Sequence, residues 1–112
     1  MRRRIPDRYI ALQAELTDEF KRGRITEAPI VSEGSHVSGI CEGQRIVINP
    51  APEVVDTLLH ELLHRRYPAW SEARVRKTTA RMLFYMDTRT VRTWYRRYNR
   101  AKRTRSSTVL VD

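Results

Sequence analysis

An α+β fold is predicted for this chain by two changes in hydrophobic period. Apolar residues recur at helical spacing in residues 6–22, 50–66, 71–86 and again from about residue 88. Between the first two runs, residues 25–49 break into short β-branched pieces separated by Gly34, Gly39 and Gly43. The 112 residues suit one domain, with residues 1–105 forming it and residues 106–112 a disordered tail without periodic signal.

The first helix is expected over residues 6–22. Pro6 suits its start, Tyr9, Ile10, Leu12, Leu16 and Phe20 give it an apolar side, and Gly23 ends it. Three strand-like pieces follow, at residues 25–32, 37–41 and 45–49. The last two read as a hairpin turning at Glu42-Gly43-Gln44, and the whole as a small antiparallel sheet. His36 reads as a surface or turn residue. Cys41 reads as a small buried apolar side chain, and as the single cysteine it excludes both an internal disulfide and a cysteine-based zinc site.

Residues 50–66 carry the chemistry. Prolines 50 and 52 suit a first helical turn, and Pro68 stops the run near Arg66. At ~100° per residue, Val54, Val55, Leu58, Leu59, Leu62 and Leu63 form a broad apolar arc. Glu53, Thr57, His60, Glu61 and His64 fall on the opposite arc. His60 and His64 stand one turn apart, so both imidazoles project towards a common point, as a single Zn²⁺ requires, with Glu61 beside them as general base.

Zinc needs a third protein ligand. No histidine or cysteine follows His64, and the downstream carboxylates are Glu72, Asp87 and Asp112. Ser71 is a good N-cap, so Glu72 opens the next helix close to the histidines. Asp87 would lie about 22 Å from Glu72, at 1.5 Å per residue. Glu72 is therefore the expected ligand, with His36 the other candidate. In the helix it opens, Val75, Thr78, Thr79, Met82, Leu83 and Met86 form the inner stripe, the methionines acting as core filler.

His60-Glu61-Leu62-Leu63-His64 followed by a glutamate on the next helix resembles the gluzincin branch of the zinc metallopeptidases. The likeness is to minimal single-domain forms among small phage and bacterial metallopeptidases, in which a strand such as Arg45-Ile46-Val47-Ile48-Asn49-Pro50 feeds the active-site helix. This resemblance implies a single zincin-like domain and a zinc-dependent peptidase, with His60, His64 and Glu72 as ligands and Glu61 activating a zinc-bound water. It also implies a sheet that lines the cleft and takes up extended substrate on its edge strand. Tyr67, Tyr85, Tyr95 and His36 are candidates for oxyanion stabilisation, and Asp56 and Glu53 for support of the imidazoles.

The final helix, about residues 88–105, bears an apolar stripe of Val91, Trp94, Tyr95 and Tyr98. Arg92, Arg96, Arg97, Arg100 and Arg103 surround it, and the chain carries a net charge of +9. Such a face suits nucleic acid or another polyanion without sequence preference. Two other functions therefore stand beside the peptidase. One is a non-enzymatic polyanion binder with a structural or degenerate metal site, and the other is a metal-dependent hydrolase of a non-peptide substrate. Met1-Arg2-Arg3-Arg4 is basic like a secretory leader, but polar residues interrupt the stretch after it and no run reaches membrane-spanning length. The expected location is cytoplasmic.

Overall fold

A computed structural model describes residues 4–32, 34–102 and 109. In chain order, its elements are α1 (Asp7–Phe20), β1 (Arg24–Glu27), β2 (Gly39–Glu42), β3 (Arg45–Ile48), α2 (Ala51–Arg66), α3 (Glu72–Tyr85) and α4 (Thr88–Ala101). The architecture is mixed α+β.

The sheet is mixed where an antiparallel one is expected. β3 lies in the middle, paired antiparallel with β2 and parallel with β1, so the edges are β1 and β2. The β2–β3 hairpin closes through Gly43-Gln44, with Glu42 opposite Arg45. Gly43 takes a φ of 59°, which a glycine at the first central position of a two-residue hairpin loop adopts without cost. The parallel partner follows from the α1–β1 connection. Gly23 adopts a φ of 62°, and a Cβ there would overlap the carbonyl oxygen of Gln44. Arg24 N–H donates to that same oxygen at 3.2 Å, which starts β1 alongside the beginning of β3.

Little of the sheet is covered. Val47 is its one buried strand residue among those described, and Cys41, expected inside, is exposed on the edge strand β2. No described helix packs broadly on the strands. The sheet joins the helical layer through Asn49 instead. Its amide donates to Val37 O at 3.0 Å, and its Oδ1 accepts from Ala51 N–H at 3.3 Å. This buried side chain ties the loop before β2 to the first residue of α2.

The core is helical. Ala51, Val55 and Leu59 of α2 pack with Val91 of α4, and Met82, Leu83, Met86, Trp94 and Tyr95 close around them. Val75 and Thr79 are the buried residues of α3. The methionines and the aromatic stripe of α4 thus take the packing roles expected of them. Only part of α2's apolar arc is enclosed: Val54, Leu58, Leu62 and Leu63 remain half-buried, because α3 and α4 cover one side of the helix and leave the other to solvent.

Both later helices start on side-chain caps. Ser71 Oγ accepts from Arg74 N–H at 3.1 Å, and Asp87 Oδ1 accepts from Thr90 N–H at 2.8 Å. α4 ends at Ala101, with Lys102 extended, rather than running to residue 105. Beyond Tyr98 the stripe continues only into Ala101, which has little surface to bury, while Arg96, Arg97 and Arg100 already crowd like charges at helical spacing. Residues 103–105, and the expected tail apart from Val109, lie outside the described residues.

α1 departs furthest from expectation. Its apolar side finds no partner among the described residues: Tyr9, Ile10, Leu12, Leu16 and Phe20 are all exposed, and the helix has no buried residue. The radius of gyration, 17.9 Å, reflects this; a compact chain of this length has about 13 Å.

Two measurements test this account. Leu59→Ala removes a side chain from the middle of the core and should lower the unfolding free energy by about 2–5 kcal/mol in a denaturant titration. Asp87→Ala should lower the melting temperature at neutral pH. The Thr90 backbone N–H holds the Asp87 carboxyl below its ordinary range, so its contribution exists above the unfolded carboxylate value and disappears as pH falls through the folded one. The gap between wild type and variant should therefore close below about pH 4.

Candidate metal centre

The donor face of α2 is built by spacing alone. His60 and His64 project from neighbouring turns, with ring centroids 4.9 Å apart and planes at 67°. Both rings are half-buried, since α3 leans against that side of α2. Tyr67-Pro68-Ala69-Trp70-Ser71 reverses the chain. Tyr67 stacks on Trp70 at 4.3 Å, Arg74 lies 4.0 Å above the Trp70 ring, and Trp70 N–H donates to Tyr67 O at 3.0 Å. The Ser71 cap then starts α3 at once, and its first residue is Glu72.

That carboxylate meets both imidazoles. Glu72 Oε1 is 2.8 Å from His60 Nε2, and Oε2 is 2.7 Å from His64 Nε2. Arg76, one turn further along α3, approaches Oε1 at 3.7 Å. Glu72 is about half exposed, yet its carboxyl is held below the usual carboxylate value. The chief cause is the hydrogen bond from His64; desolvation opposes it, and the charges of His60, His64 and Arg76 each add a smaller lowering.

These three residues form a group able to hold a metal ion, with one ligand atom from each lying within 4.8 Å of the others. Two imidazoles and one carboxylate are the donor types zinc takes at sites that keep a position for water. In the present arrangement each Nε2 donates its proton to the carboxylate, so the proton would leave when the nitrogen became a ligand. The donors fit the ion chemically, and no main-chain rearrangement is needed to bring them together.

The other expected residues divide. Glu61 is exposed on the next arc of α2, between two shallow clefts. One, of about 480 Å³, is lined by Leu58, Glu61, Leu62, His64 and Arg65. The other, also about 480 Å³, is lined by Glu53, Val54, Thr57, Leu58, Glu61 and Tyr98. These clefts belong to α2 and α4, so the sheet does not line them as the family resemblance implies. His36 is far from the centre: its Nε2 lies 3.1 Å from Leu83 O near the opposite end of α3. Tyr85 is at that end too, and Tyr95 packs against the core. Tyr67 is the one oxyanion candidate in the turn beside the histidines.

Neither Asp56 nor Glu53 reaches an imidazole. Both carboxylates are exposed, and the His60 ring turns its Nε2 to Glu72 on α3 instead. Two neighbours were not anticipated. Arg76 stands at the i+4 position from Glu72, a spacing visible in the sequence. Tyr98 reaches the Glu61 cleft from α4, and only the docking of α4 on α2 brings it there.

The arginines of α4 separate into two groups. Arg92 and Arg96 line a groove at the α3–α4 corner, together with Arg89. Arg100 shares their side of the helix by spacing. Arg97 lies on the other flank, 5.0 Å above the Trp94 ring. Arg103 is outside the described residues.

No protein-family model matches the chain, and neither a curated protein nor a solved structure is significantly similar to it. Among the described residues, no helix is long and apolar enough to cross a membrane.

Titration of metal-free protein with Zn²⁺ near neutral pH should saturate at about one equivalent. His60→Ala and His64→Ala should abolish that uptake, and Glu72→Ala should weaken it far more than Asp87→Ala, as read by calorimetry or a competing chelator dye.

Proposed function

We propose that the protein is a zinc-dependent metallopeptidase of minimal gluzincin type. The observation that carries this reading is the meeting of His60 Nε2, His64 Nε2 and the two oxygens of Glu72 at 2.7–2.8 Å, with Glu61 on the adjoining arc of the same helix. A zinc ion held there would supply an acidified water and a positive centre to polarise a carbonyl oxygen.

The chain's own residues do the rest. Glu61 is one residue from His60 and exposed, so its carboxylate is free to take a proton from the attacking water. It then delivers that proton to the departing amine. The flanking clefts have apolar floors made by Val54, Leu58 and Leu62, on which the side chains of an extended peptide can rest. Tyr67, in the turn next to His64, is the side chain best situated to donate to a developing oxyanion. The helix turn, the Ser71 cap and the Arg76–Glu72 contact orient the donors.

Glu61→Gln provides the test. It should bring hydrolysis of an unstructured protein such as casein down to background while zinc uptake stays at one equivalent. Hydrolysis that survives in this variant would remove Glu61 from its role as base. A wild type that is loaded with zinc but inert towards peptides, and active on simple esters or amides, would move the reading to a hydrolase of another substrate.

A further inference from the structure

At the end of α3 remote from the metal centre, Phe84 and Tyr85 stand in solvent. They are 80% and 81% exposed, and their rings meet edge to face at 5.2 Å. Residues of this size are rarely left uncovered in adjacent pairs without a partner to meet them. They form one wall of a groove of about 970 Å³, closed on the other side by Val31, Ser32, Gly34 and His36 and by the first turns of α4. His36, bonded to Leu83 O, pins the loop in place.

The remaining wall is cationic. Arg89, Arg92 and Arg96 come from one side of α4 at spacings of three and four residues, and span about 10 Å along the helix axis. None of them forms an ion pair with a described residue. Asp87 is the one acidic residue among the described lining, and its carboxylate is engaged as the cap of α4. Exposed rings beside a row of unpaired guanidinium groups match a ligand that alternates flat faces with anionic links.

We propose that this groove binds single-stranded nucleic acid without sequence preference. Bases stack on Phe84 and Tyr85, and successive phosphates lie along Arg89, Arg92 and Arg96. Stacking distinguishes this ligand from a duplex, whose bases are already paired and stacked, and from an acidic peptide without aromatic residues, which has no ring to stack. The groove lies about 18 Å along α3 from Glu72, so it is separate from the metal chemistry.

Fluorescence anisotropy with a labelled oligo(dT) of about 15 nucleotides tests this, against a mixed-sequence duplex of the same length and with polyglutamate as competitor. The single strand should bind more tightly than the duplex, and its log affinity should fall with log salt at a slope of about −2 for three phosphates. Phe84→Ala and Tyr85→Ala should each weaken binding about tenfold, whereas Tyr85→Phe should not. Arg92→Glu with Arg96→Glu should flatten the salt slope. Because Phe84, Tyr85 and Arg96 are exposed and Arg92 is only half-buried at the groove, circular dichroism should show every variant folded as the wild type. Equal affinity for duplex and single strand, or alanine variants that bind like wild type, would overturn the proposal in favour of a merely basic face. Polyglutamate displacing the oligonucleotide as well as unlabelled oligo(dT) does would overturn it in favour of a protein partner.

Discussion

The candidate site depends on one carboxylate reaching two imidazoles. Glu72 can do so only if α3 begins immediately after a five-residue turn, with its first side chain aimed back at the last two turns of α2. Pro68 ends the first helix, the Tyr67–Trp70 stack narrows the turn, and Ser71 fixes the start of the second. A cap one residue later would rotate the carboxylate by ~100° and take it off the histidines. The local rules of helix termination therefore decide the chemistry of the site.

The core supports this arrangement from behind. Ala51, Val55 and Leu59 hold α2 against α4, and Val75 and Thr79 hold α3, while the opposite face of α2 stays open. That openness leaves Glu61 accessible and the Leu58–Leu62 surface only half covered. A thicker domain would bury it. The sheet contributes by positioning rather than by covering, since Asn49 fixes where α2 begins.

The sequence was informative wherever the determinant was local. The limits of α2 follow from its prolines, the start of α3 from Ser71, the hairpin from Gly43, and the convergence of His60, His64 and Glu72 from helical spacing plus a short turn. Long-range determinants left no comparable mark. The parallel pairing of β1 with β3 rests on Gly23 approaching Gln44, and nothing near β1 announces its partner or direction. The apolar side of α1 predicts burial, but periodicity cannot say what should cover it, and no described element does. Asp56 and Glu53 stay exposed, because helical spacing sets which side chains are neighbours but not which way each one turns. The groove beside Phe84 joins three separate segments, so its arginines were legible as a basic face but its shape was not.

The three donor residues fall between positions 60 and 72, whereas β1 and β3 pair across a separation of 21 residues. Closing a short loop loses less chain entropy than closing a long one, and contacts of low sequence separation are generally quick to form. The helix pair bearing the donors closes over a shorter stretch of chain than β1 and β3 do. The donors can come together before β1 has found β3, and an ion captured at that stage would act on the folding chain as well as on the finished one.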